Sequence, residues 1–225
     1  MLMHAIGGVL PAAIAVALSP IPIVAVVIVL ATPKARTVGP AFALGWVVGL
    51  AAVSTVVVVL AHGSSDPDSA SATGVNWLTV GIGLLFFSMA GRQWRKRPRA
   101  GQTAEAPKWM ATLDDITPVK GLVLGLALSA ANPKNLALTA AAAASIAQQG
   151  LGTADTVIAV AVFVIIGSCT VAGAVLLAVV APAWSARPLA SVKQFMSDNN
   201  AVIMMVILLI LGAKFLGDGL SGLWT

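Results

Sequence analysis

Tyrosine is missing from this 225-residue chain, and cysteine occurs once. A single Cys169 excludes an internal disulfide, a CxxC redox pair and a thiolate zinc cluster. Lying in an apolar run, it is expected to be a buried small hydrophobe. Charge is scarce: Asp, Glu, Lys and Arg make up 9% of residues, against roughly 25% in a soluble domain. Acidic residues are almost absent from the apolar runs. Asp66, Asp68, Asp114, Asp115, Asp155, Asp198 and Asp218 all fall in expected loops or near expected helix ends. The two histidines, His4 and His62, lie near span boundaries. A cation transporter or a proton relay usually needs carboxylates or histidines at membrane depth, so both are disfavoured. No nucleophile–base set, phosphate-binding glycine loop or HExxH occurs, and no enzyme, metal site or cofactor is expected. The short GxG patterns sit inside apolar runs with no preceding strand, and read as packing glycines.

What remains is apolar. Hydrophobic residues make up 59% of the chain, and the mean hydropathy is +0.97. The composition is that of an integral membrane protein, all-α and polytopic. Runs of about 20 apolar residues mark membrane helices. Six are expected, at 6–31, 37–62, 75–93, 118–148, 154–181 and 199–217. The first lacks a basic n-region and is too long for a signal-peptide core, so a retained helix is expected.

The net charge is +5, but its placement carries the information. Lys34 and Arg36 separate spans one and two. Arg92, Arg95, Lys96, Arg97, Arg99, Lys108 and Lys120 lie between or flank spans three and four. Arg187 and Lys193 separate five and six. The alternate loops, GSSDPDSASATG and QQGLGTAD, carry no Lys or Arg. The positive-inside rule places the basic loops in the cytoplasm and both termini outside the plasma membrane. Basic charge so placed points to orientation and not to nucleic acid. The segment RKRPRAGQTAEAPKW, 95–109, reads as a topology anchor or as a contact for anionic lipid headgroups. Lys214, near the outer end of span six, is expected to snorkel.

Six spans divide as three and three, so the second half enters the membrane in the opposite sense, the inverted-repeat plan of many transporters. The organisation is a first repeat at 1–93, a basic cytoplasmic loop at 94–117 and a second repeat at 118–225. Weak echoes agree with it. LSPIPIVAVV in span one and LSAANPKNLAL in span four each begin Leu-Ser and break at proline. GIGLLFFSMAGRQ and VILLILGAKFLGD close spans three and six in a similar way. Small residues at Gly39, Gly45 and Gly49 in span two, and at Gly167, Ser168 and Gly173 in span five, are expected to let helices approach closely.

Span four, about 30 residues at 1.5 Å each, is longer than a hydrocarbon core of about 30 Å requires. It is expected to break at Pro133, freeing the carbonyl of Ser129, as Pro20 and Pro22 free those of Val16 and Leu18 in span one. Ser19-Pro20 and Asn132-Pro133 each have the order of an N-cap followed by a first helical residue. Both would start half-helices whose positive dipole ends lie near the midplane. Lys134 adds a full charge there, at a cost of about 3 kcal/mol on insertion scales. The candidate substrate-binding residues are therefore Ser19, Pro20, Pro22, Asn132, Pro133, Lys134 and Asn135, around an anion-favouring centre. The competing reading is a kinked packing helix whose Lys134 snorkels or meets a carboxylate.

The proline pair in span one, the stretch TPKARTVGPAFALGWVVG at 32–49 and the Asn132-Pro133-Lys134 break resemble the LysE superfamily of small exporters. Within it, SPIP, ATPKAR and the Gly-Trp of span two are most similar to the GAP/Sap group, the glycolipid- and sulfolipid-addressing proteins of actinobacteria. LysE-type amino-acid exporters typically carry Pro-Gly-Pro where this chain has Pro20-Ile21-Pro22. The resemblance implies a homodimer that moves, or helps lipid-synthesis or export machinery to move, a cell-envelope glycolipid. Two alternatives remain: an exporter of a small solute such as an amino acid or organic anion, and a non-transporting scaffold of a lipid-export complex.

Overall fold

The computed structural model describes residues 1–63, 71–95 and 116–221. Among these the regular structure is all helical, with no strand. The elements in order are α1 (Leu2–Ala17), α2 (Pro20–Leu30), α3 (Ala35–Gly63), α4 (Ser71–Arg95), α5 (Pro118–Leu126), α6 (Pro133–Ala147), α7 (Thr153–Val180), α8 (Pro182–Asp198) and α9 (Asn200–Ser221). A π turn, Ala127–Ala131, continues α5 toward α6.

Helix starts follow local chemistry. Thr117, Asn132 and Ser19 each take an extended backbone and precede a proline at the first helical position. The Thr117 hydroxyl accepts from the Lys120 amide at 3.3 Å, and the Asn132 carbonyl oxygen accepts from the Lys134 amide at 3.1 Å. Each satisfies one of the orphan donors of a helix N-terminus. Ser19 makes no such cap; its hydroxyl is engaged elsewhere. The turn between α6 and α7 is closed by Gly150 at φ 59, a left-handed conformation that a side chain would strain.

Among the described residues three helices are long and apolar enough to cross a membrane: Ala35–Ala61, Thr153–Val180 and Asn200–Leu220. The pair α1–α2, bent by 49° at its break, makes a fourth if counted as one span. The break before α6 leaves Pro118–Ala131 as a shorter apolar stretch. Outward faces carry Leu44, Val48, Val59, Ile165 and Leu176 exposed, the face a helix presents to lipid.

The chain forms two compact units. One comprises Met1–Ser64 with Glu105–Ser197, the other Ser65–Ala104 with Asp198–Thr225. In the first, α3 is the spine, meeting α2, α5, α6 and α7. Val38, Phe42, Trp46, Leu50, Ser54 and Val58 follow one another every four residues along its buried stripe. The Trp46 indole donates to the Gly167 carbonyl at 3.3 Å, joining α3 to α7. Against α5 the approach is glycine to backbone. A Cβ on Gly45 would overlap the Leu122 carbonyl, and one on Gly125 the Phe42 carbonyl. A Cβ on Gly49 would strike the Ser129 hydroxyl. In the second unit α4 packs on α9, with Gly83 against Leu216 and Phe86 edge-on to Phe215 at 5.6 Å between centroids.

Three expectations need correction, and a fourth, the snorkelling of Lys214, gains a partner. Cys169 is exposed, because it falls on the outward face of α7 four residues after Ile165. Gly173 meets nothing within 4 Å and lies on that outward side, unlike Gly39, Gly45, Gly49 and Gly167, which do mark close approaches. Lys214 is held by Asp218 at 2.6 Å, one helical turn on, and lies 5.8 Å from the Phe215 ring centroid. The connection between spans five and six contains a whole helix, α8. Its polar positions set it apart from a membrane span, and its apolar residues recur at the helical period of a surface helix.

Candidate functional site: a lysine between broken helices

The site forms where α1 ends, α2 and α6 begin, and α7 passes. At the end of α1 the backbone tightens: Ser19 N–H donates to the Val16 carbonyl at 3.1 Å, not to that of Ala15. The Ala15 carbonyl is left to accept from Lys134 Nζ at 3.2 Å. The Ala17 carbonyl accepts from the Thr170 hydroxyl of α7 at 2.6 Å. Two backbone acceptors that a continuous helix would satisfy internally are thus taken by side chains of two other helices, as membrane depth demands.

The second break is built in a complementary way. The π register sends the Asn132 N–H to the Ala127 carbonyl at 3.0 Å. The Leu128 carbonyl consequently loses its usual partner, and the Asn135 amide donates to it at 2.9 Å. The expected orphan was Ser129; the five-residue spacing is why Leu128 is the one recruited. Asn135 is fully buried, at 0% exposure, and its carbonyl oxygen accepts from the Ser19 hydroxyl at 3.1 Å. The same Ser19 oxygen accepts from Lys134 Nζ at 3.1 Å.

Ser19, Lys134 and Asn135 therefore form one connected network spanning both breaks. Asn132 positions it by capping α6. Pro20 and Pro22 are buried in the first turn of α2, whereas Pro133 is exposed. The Lys134 ammonium sits on the carbonyl end of α1, where the helix dipole is negative, while its own backbone lies at the positive start of α6. It is half-buried, and an ammonium has three donors. Two are engaged. Among the described residues the third has no partner, and no carboxylate lies beside it.

The cytoplasmic basic residues fall elsewhere. Lys34 and Arg36 are exposed at the turn into α3, and Arg92 and Arg95 are exposed at the end of α4. Lys96, Arg97 and most of the 94–117 loop lie outside the described residues. Reading the sequence missed Thr170, which sits in a run of small residues with nothing local to distinguish it. It also missed the backbone acceptors of Ala15 and Leu128, which no side-chain pattern can announce. No group of three or more His, Cys, Asp or Glu that could hold a metal is present among the described residues.

Long apolar helices, one of them broken, with a polar network and a lysine between helix ends, define a polytopic helical membrane protein. Residues 9–221 match the model of the Sap, sulfolipid-1-addressing protein family, and the chain belongs to that family. No curated protein and no solved structure matches the chain.

Proposed function

We propose that this protein moves, or helps to move, a cell-envelope glycolipid with an anionic headgroup across the plasma membrane. The family's description, an addressing protein for a sulfolipid, supports a role in glycolipid or sulfolipid export. The single observation that carries the finer reading is Lys134. Its ammonium is held between two broken helices by the Ala15 carbonyl and the Ser19 hydroxyl, with one donor left over. A sulfate, phosphate or carboxylate would complete that coordination, and a charge-assisted hydrogen bond contributes about 1.5–3 kcal/mol. Ser19, Pro20, Pro22, Asn132, Pro133, Lys134 and Asn135 form the headgroup site in this reading. Lys34, Arg36, Arg92, Arg95, Lys96 and Arg97 contact the cytoplasmic leaflet.

The architecture proposed with it is six spans as an inverted 3+3 repeat, both termini outside, acting as a homodimer alongside export machinery. The helix pairings support the repeat. The first half of span four, α5, lies on α3, and the first half of span one, α1, lies on α7. Those two pairings exchange under the repeat, and α3–α7 and α4–α9 each map onto themselves.

The test is reconstitution into liposomes with a glycolipid whose anionic headgroup is labelled. Movement between leaflets is expected, and Lys134→Ala is expected to slow it about tenfold to a hundredfold, from the hydrogen-bond range above. A fully active Lys134→Ala would remove the central residue of the proposal. Flux of a water-soluble organic anion without lipid movement would replace the lipid reading by the small-solute one.

A further inference from the structure

A second cleft lies away from Lys134, among the end of α2, the turn into α3, the end of α7 and the inner face of α8. Its volume is about 410 Å³, within the range of small-molecule sites. Val27, Leu30 and Ala178 line it from the spans, and Leu189 from α8. Two cations, Arg36 and Lys193, are part of the wall, and no acidic residue is. Neither cation has a carboxylate partner among the described residues.

The geometry of α8 explains the cleft. Pro182, Ser185, Ala186, Leu189, Ala190 and Lys193 recur at helical spacing and all line it. This face is mostly small side chains, so the helix lies over the spans without filling the space beneath. Close-packed interiors leave few voids larger than a water molecule. The far side of α8 carries Trp184 at 84% exposure and Phe195 at 57%, with Arg187 exposed. An amphipathic helix with aromatic and basic residues on its outer side lies in a membrane interface.

We propose that this cleft holds one membrane lipid with an anionic phosphate or sulfate headgroup, its chain against Val27, Leu30 and Leu189 and its headgroup between Arg36 and Lys193. Charge complementarity selects the occupant: two cations with no carboxylate partner among the described residues, above an apolar floor, suit an anionic amphiphile and neither a neutral lipid nor a free anion. The site is separate from Lys134, and its test reads lipid retention instead of lipid movement, so either reading can fail alone.

The experiment uses the full chain, purified and delipidated, then exposed to vesicles of phosphatidylglycerol carrying a mid-chain photoreactive group. Cross-links are expected on peptides covering 27–36 and 182–193. Each basic residue near an anionic surface contributes about one kcal/mol, so Arg36→Gln and Lys193→Gln should each lower retention about fivefold, and together about thirtyfold. Ala190→Trp, which fills the floor and keeps both charges, should also abolish cross-linking. Lys120→Gln and Arg187→Gln, outside the cleft, should stay within about twofold of the parent. Equal losses from those two variants would show diffuse surface attraction and overturn the site. Retention of phosphatidylcholine to the same level, unimpaired labelling of Ala190→Trp, or displacement of the lipid by inorganic sulfate or phosphate alone would each overturn it as well.

Discussion

Replacing Asn135 by leucine keeps the branched shape of four heavy atoms, with methyls bulkier than the amide oxygen and nitrogen they replace, and removes both ends of its amide. The Ser19 hydroxyl loses its acceptor at 3.1 Å, and the Leu128 carbonyl loses its donor at 2.9 Å. Interhelical hydrogen bonds in membrane proteins average about 0.6 kcal/mol. A carbonyl left without a partner away from water costs about 1–3 kcal/mol. The sum is a destabilisation of about 1.6–3.6 kcal/mol, or a fall of about 3–14 °C in Tm for a chain of this size. Thermal unfolding of the purified protein in detergent would measure it. Ser19→Ala removes the same Ser19–Asn135 bond, so the two substitutions share a term. The double variant should fall short of additivity by about 0.5–1 kcal/mol. If Asn135→Leu unfolds with the parent, or if the two substitutions add fully, the network does not hold the breaks together and the account of the site is wrong.

Gly125→Ala places a Cβ against the Phe42 carbonyl, where only backbone could yield, and should cost about 3 kcal/mol or more, seen as loss of monodisperse protein on extraction. Gly173→Ala, in open space, should instead leave Tm unchanged or raise it slightly, since alanine is the better helix former. Thr170→Val, nearly isosteric, removes the 2.6 Å bond to the Ala17 carbonyl and should lower stability by about 0.6–1.7 kcal/mol in the same unfolding assay. Trp46→Phe loses the donor to the Gly167 carbonyl and leaves a cavity at a fully buried position between α3 and α7, and should cost about 2–3 kcal/mol in that assay.

The helix breaks were legible because they are local. Ser19-Pro20, Thr117-Pro118 and Asn132-Pro133 carry their own stop and start signals, and the chain obeys them. Close approach was legible where glycines repeat at four-residue spacing, as at Gly45 and Gly49. It was misjudged at Gly173, because glycine permits a contact without demanding one. Cys169 shows the limit of reading burial from apolar surroundings. In a span that is hydrophobic all round, the sequence does not say which face meets protein. The partners of Lys134 were out of reach for another reason: an ammonium near a helix end can be met by backbone, and Ala15 offers only its carbonyl. The helix α8 is hidden from an apolar-run criterion because polar residues interrupt its apolar stripe at every turn.

The carbonyls at the end of α1 have a bearing on biosynthesis. Their partners arrive late: Lys134 follows Ala15 by 119 residues, and Thr170 follows Ala17 by 153. A chain enters the membrane from its N-terminus, so Pro20 arrives there before either donor has been made. Two acceptors without partners in hydrocarbon cost several kcal/mol each. The first segment must therefore stay near water, a chaperone or the insertion machinery, or remain straight, until the C-terminal half is made. The kink that opens the chain is among the last of its features to be secured.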